Sequence, residues 1–136
     1  MNILEQLKDK KYAILASNGY FSYDNGINPV ISKLNEDINY FKGLTVADKI
    51  VGKASAMLLC LSGVKEVYAT VLSIAGKDIF EKYGIAYHYD NLVDYIINRK
   101  GDDMCPMEKT VKDIDDLMQA YAALNDKLSK LQAHNI

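Results

Sequence analysis

Residues 44–63, LTVADKIVGKASAMLLCLSG, form the longest patterned stretch in the first half of the chain. Ile50, Ala54, Met57, Leu58 and Leu61 recur at helical spacing, which predicts one amphipathic helix with a single buried stripe. Thr45 and Asp48 have the form of a capping box, and Gly63 supplies a C-terminal stop. Upstream, residues 2–10 predict a short leading helix. Residues 12–17 and 20–23 read as strands, and Asn18-Gly19 between them is the strongest short hairpin signal in the sequence. Asn25-Gly26 closes the second strand, and Gly26-Ile27-Asn28-Pro29 predicts a stiff turn. Its glycine suits a left-handed or close-approach position, and Pro29 is expected to hold Asn28 extended. Residues 30–41 predict a short helix or an irregular crossover.

Downstream the period shortens. Residues 64–73, VKEVYATVLS, are β-branched and uninterrupted, as in a buried strand. Residues 76–83 predict a short helix ending at Gly84, and 85–89 another strand. Strand, helix and strand on short links imply a right-handed crossover and a parallel pair. With the hairpin, this makes a mixed sheet carrying packed helices, an α/β fold. Residues 91–98 are amphipathic and read as a helix turn followed by an extended piece. In 115–131, Leu117, Tyr121, Leu124, Leu128 and Leu131 share one helical face, for packing on the sheet or on a second subunit in a homodimer. No repeat or linker divides residues 1–136, which read as one domain.

Composition narrows the function classes. Half of the 136 residues are apolar and a quarter charged, as in an ordinary globular protein. A net charge of −2 leaves no electrostatic footprint for nucleic acid or an anionic membrane. No apolar run approaches a membrane span, and the N-terminus lacks a signal-peptide pattern. Cys60 and Cys105, far apart and without framework spacing, suit a reduced, cytoplasmic setting. Cys-x-x-Cys, His-x-Glu, Walker and Rossmann patterns are all missing, so no metal or cofactor is expected.

Two polar constellations remain. On a single helix, Lys49 and Lys53 would share one side beside Asp48, along the flank of the apolar stripe. Like charges four residues apart in a first turn are unfavourable unless an anion sits among them and the free amides. The alternative is a solvated flank whose lysines reach into water. The second constellation is INRKGDDMCPMEK, residues 97–109. Proline favours the first helical position, which makes Cys105 a cap residue whose thiol would meet the helix amides as an activated nucleophile. Glu108, three residues on, would take a proton or bond back to the cap amide. Asp102 and Asp103 would oppose the thiolate, and the bland alternative is a packed, inert cysteine. Arg99, the single arginine, suits bidentate recognition of an anion beside Asn98. Cys60 reads as packing, and His88 and His134 have no visible partners.

The stretches ADKIVGKASAMLL, GVKEVYA and YIINRKGDDMCPMEK together resemble the bacterial and archaeal family known as domain of unknown function 1893. Ala47-Asp48-Lys49, Gly52-Lys53, Asn98-Arg99, Cys105-Pro106-Met107-Glu108 and the turn at Gly26 and Pro29 stand as in that family. The resemblance implies a three-layer α/β/α sandwich similar to cytidine deaminases. Zinc deaminases hold their metal with a His or Cys ahead of a catalytic Glu, and with a later Cys-x-x-Cys. Here Ala47-Asp48-Lys49 and Ser73-Ile74-Ala75-Gly76 would stand in those places, without ligands. Three readings follow. The first is a metal-independent enzyme with Cys105 as nucleophile and Glu108 or Asp48 handling protons. In it Lys49, Lys53, Asn98, Arg99 and Gly26 hold an anionic or nucleotide-like small molecule. The second is a non-catalytic binding module for such a ligand, and the third is a structural, dimeric interaction protein.

Overall fold

The computed structural model describes residues 2–98 and 100–134, with backbone alone for 132–134. The chain runs α1 (Ile3–Lys10), β1 (Ile14–Ala16), β2 (Phe21–Ser22), α2 (Asn28–Glu36), β3 (Thr45–Val51) and α3 (Lys53–Ser62). It continues β4 (Glu66–Ser73), α4 (Ile74–Tyr83), β5 (Ala86–Val93), α5 (Pro106–Val111) and α6 (Leu117–His134). The strands form one mixed sheet in the order β2-β1-β3-β4-β5. β1 is antiparallel to β2 and β3, while β3, β4 and β5 run parallel. The hairpin at Asn18-Gly19, the parallel β4–β5 pair across α4 and the helix stop at Gly84 are as expected, whereas the parallel β3–β4 pair across α3 is not.

The expected helix over 44–63 is two elements. Residues 45–51 are a strand hydrogen-bonded on both sides, with Asp48 opposite Ile14 on β1 and Ala69 on β4. Thr45 is therefore no helix cap; its amide donates to Ser17 Oγ at 3.0 Å. Thr45, Val46, Ile50 and Val51 are β-branched and favour a pleated, half-buried surface. Gly52 then turns the chain into α3, which ends at Gly63 with φ of 85°. From Ala54 to Leu59 every α3 side chain is buried, as befits a helix inside the core. The hydroxyl of buried Ser62 accepts the Phe41 amide at 2.8 Å and ties the preceding loop to this helix.

Alternation along the strands sorts the layers. Ala47 and Leu15 pack with Leu4 and Leu7 of α1 on one face. Val46, Val67 and Ala69 face the larger core, built from α2, α3, α4, α5 and α6 on the other side. Helix, sheet and helices thus make three layers. In α6, Ala120 and Leu124 are buried, whereas Leu131 is exposed at the end of the expected stripe.

Two further segments differ from expectation. The Gly26-Pro29 tetrapeptide leads directly into a helix: α2 starts at Asn28, and the Ile31 amide reaches the Ile27 carbonyl at 2.9 Å. Proline in a first turn costs no hydrogen bond, so helix formation overrides the expected extension of Asn28. In place of a helix turn over 91–98, β5 continues to Val93, followed by an irregular loop that folds back where Ile97 bridges Met104. Among the described residues no helix is long and apolar enough to cross a membrane.

Candidate functional site

A cleft of about 720 Å³ opens beyond the carboxyl end of β3. Open sheets place ligand sites beyond the carboxyl ends of parallel strands, because the helices that follow begin there. Three stretches converge on it: the 25–28 loop, the β3–α3 junction and the 96–108 segment, with the end of α6 across the opening. Ile50, Ile97, Met107 and Leu131 make its apolar walls, and Ser55, Asn98, Cys105 and Glu108 bring polar atoms.

Glu108 is the buried charge of this site, 8% exposed. Its Oε1 accepts the Lys53 amide at 2.7 Å and its Oε2 the Ala54 amide at 2.8 Å. The carboxylate thus caps α3 from a second helix and supplies the negative charge that a helix start attracts. Burial pushes its carboxyl above the ordinary value, against the two amides and Lys53, which pull it down. This contact explains Gly52, since a Cβ there would lie 2.1 Å from Glu108 Oε1. The expected bond from Glu108 to its own cap amide does not form; the Cys105 amide donates to the Ile96 carbonyl at 2.8 Å instead.

Cys105 does sit at the cap position of α5 ahead of Pro106, but its thiol makes no hydrogen bond to the helix amides. It borders the cleft together with Glu108. Asn98 shapes the loop: its Oδ1 accepts the Gly101 and Asp102 amides at 2.8 and 3.2 Å, and its Nδ2 donates to Asp102 Oδ1 at 2.9 Å. Lys109 pairs with Asp103, whose carboxyl is held below the ordinary value by that bond. Gly26, at φ of 84°, turns the 25–28 loop toward the cleft.

The first constellation does not assemble as expected. Lys49 is exposed and points to the α1 face of the sheet, opposite to Ile50 and the cleft. Lys53 begins α3 and its Nζ donates to the Lys112 carbonyl at 3.0 Å, tying α5 to α3. The two lysines share no helix, because the strand period of two sets them apart. Asp48 is 5% exposed and lies under the sheet's larger core, outside the cleft wall. Its Oδ1 accepts the Ile50 amide at 3.3 Å. Burial pushes its carboxyl up to about 7, in spite of hydrogen bonds from the Ile50 and Lys49 amides. Arg99 lies outside the described residues, as does the side chain of His134.

Of the expected site residues, Gly26, Asn98, Cys105 and Glu108 come together at the cleft. Asp48, Lys49 and Lys53 do not border it. Sequence reading missed Ile50, Ile97, Ser55 and Leu131 as cleft residues and missed the reason for Gly52. A glycine directly after a β-branched run and before an apolar helix was the available signal. His88, expected to lack partners, has its Nε2 2.9 Å from Glu66 Oε2 and its ring stacked on Tyr68 at 4.3 Å, because β4 and β5 pair Tyr68 with His88. Cys60 packs against the core, where burial pushes its thiol up to about 12. Ala47-Asp48-Lys49 stands on a strand, so it does not occupy the helical place expected from the deaminase comparison. Ser73 caps α4, accepting the Gly76 amide at 3.0 Å. Among the described residues no three His, Cys, Asp or Glu side chains gather as metal ligands.

The model of the family described as Domain of unknown function (DUF1893) matches residues 2–128. A crystal structure of a DUF1893 family protein from Thermotoga maritima is 30% identical. It superposes with a TM-score of 0.84 over 91% of this chain and 86% of that one. No curated protein matches. The extent of the family match and the shared fold make this chain a member of the DUF1893 family.

Proposed function

We propose that this protein is a small-molecule binding module whose ligand occupies the cleft beyond β3. The observation that carries the reading is the meeting of Cys105, Glu108, Asn98 and Gly26 at one apolar-walled cleft of about 720 Å³, within the size range of ligand pockets. Binding is favoured over catalysis because both oxygens of Glu108 already accept α3 amides, an arrangement suited to support rather than to proton transfer. The ligand is largely apolar, with hydrogen-bonding groups directed at Ser55, Asn98 and Cys105. An anionic ligand finds less support: Lys53 is engaged with α5, Lys49 faces the other side of the sheet, and among the described residues three acids, Asp102, Asp103 and Glu108, border the cleft against one cation, Lys100.

A fragment library soaked into crystals, with thermal shift on the same compounds, tests the proposal. Fragments should cluster in the cleft, and stabilisation by the best of them should follow mass action. It should vanish in Ile97→Arg, which fills the opening, and survive Cys105→Ser. Fragments scattered over the surface, or stabilisation indifferent to Ile97→Arg, would refute it. Stabilisation lost in Cys105→Ser with covalent adducts on Cys105 would favour the cysteine enzyme instead, a reading supported by the shared position of Cys105 and Glu108 on the cleft wall.

A further inference from the structure

The sheet ends in unlike edges. β2 closes one side with two residues, whereas β5 presents eight, Ala86–Val93, at the other. β5 keeps an unbroken register with β4 on its inner side. Among the described residues its outer side has no backbone partner. Natural edges are blunted by proline, lysine, bulges or shortness. AYHYDNLV has no proline, lysine or bulge, its one carboxylate, Asp90, is paired with Lys8, and Tyr89 and Leu92 on it are 42% and 39% exposed. Such a strand is a template for pairing, and its own sequence indicates with what.

We propose that β5 pairs antiparallel with β5 of a second copy of this chain, about a two-fold axis midway between the two Tyr89 residues. A two-fold relation between antiparallel edges keeps the same sheet face on the same side, so residues of one face meet residues of that face. His88, Asp90 and Leu92 share one face, and Tyr87, Tyr89 and Asn91 the other. With the axis at Tyr89, His88 lies opposite the partner's Asp90 twice over, and Leu92 lies opposite the partner's Ala86. On the other face Tyr89 meets its symmetry mate and Tyr87 meets the partner's Asn91. Hydrogen-bonding base–acid pairs, apolar pairs and aromatic pairs directly across a ladder are each favourable.

Charge selects this register among its neighbours. An axis at Asp90 sets two aspartates against each other, and an axis at His88 sets two histidines together and leaves Asp90 facing Ala86. Within the protomer Lys8 already pairs with Asp90, and His88 with Glu66. The two-fold joins these pairs into an alternating run of base, acid, base and acid across the interface. Tyr68, stacked on His88, continues the same face.

Light scattering on the eluting protein, with cysteine cross-linking, tests the proposal. The parent protein should elute at twice the 15.2 kDa chain mass. Tyr89→Lys, which sets two lysines on the axis, should elute as a monomer with unchanged far-ultraviolet circular dichroism. Tyr89→Cys should form a disulfide dimer on mild oxidation beyond that of the parent, since opposite Cβ atoms lie about 5 Å apart. Tyr87→Cys should not, since its symmetry mate lies four residues, roughly 13 Å, along the strands. A monomeric parent, a dimer that survives Tyr89→Lys, or cross-linking through Tyr87→Cys in place of Tyr89→Cys would each overturn it. Should Tyr89→Lys not fold, the two cysteine variants still decide.

Discussion

Asp48 costs this protein stability at neutral pH, and replacing it should return that stability. Its carboxyl sits in the core with backbone amides as its hydrogen-bond donors, and burial moves it from an ordinary 3.8 to about 7. The folded protein therefore keeps a proton that the unfolded chain has released over that interval. Where the folded state binds more protons, stability falls as pH rises, at ~1.4 kcal/mol per pH unit for one group. The contribution of protonated Asp48 is complete below the ordinary value and is lost as pH climbs through about 7. Over the interval this amounts to ~4 kcal/mol, a large share of a domain's stability. Asp48→Asn keeps the shape and an oxygen for the Ile50 amide but cannot ionise. Urea unfolding of both proteins should give equal stability near pH ~4 and an advantage to the variant of up to ~4 kcal/mol near pH ~8. A difference that does not change with pH, or one that favours the parent at the alkaline end, would refute the reasoning.

Three further substitutions test the packing that builds the cleft. Gly52→Ala drives a Cβ to 2.1 Å from Glu108 Oε1, so it should lose ~2–4 kcal/mol in urea unfolding through overpacking and a displaced cap. Glu108→Ala leaves the Lys53 and Ala54 amides without their acceptor and should lose ~2–3 kcal/mol. Glu108→Gln, which keeps one carbonyl oxygen, should lose less when measured the same way. Ser62→Ala removes the acceptor of the Phe41 amide at a fully buried site and should lose ~1–2 kcal/mol, with the loss read from the urea midpoint.

Local chemistry was legible wherever a residue type has one structural use. Asn18-Gly19 made its hairpin, Gly63 and Gly84 ended their helices in the left-handed region, and Cys105-Pro106 started α5. The mixed sheet and the parallel β4–β5 pair followed from strand-like runs alternating with helical ones. Four of the eight expected site residues, Gly26, Asn98, Cys105 and Glu108, also lie at the cleft. The first three carry turn or capping signals that act within a few residues, whereas Glu108 caps α3 rather than its own helix.

What failed was any property set by a neighbour distant in sequence. Over residues 44–63 the apolar positions satisfy a helical count, yet the ladders to β1 and β4 claim 45–51 for the sheet, and a period of two then sends Lys49 away from the cleft. Sequence reading put free helix amides beside Lys49, after a cap at Thr45; the free amides are instead those of Lys53 and Ala54, and their occupant, Glu108, comes from 55 residues downstream. The same distance hid what a Cβ at residue 52 would meet, the carboxylate of Glu108. Sequence by itself determined the elements, their ends and the class of fold, because those depend on periodicity and on backbone preferences. Tertiary structure alone decided which charge meets which amide and which side chains share a cavity, since those depend on contacts that only the folded sheet brings within reach.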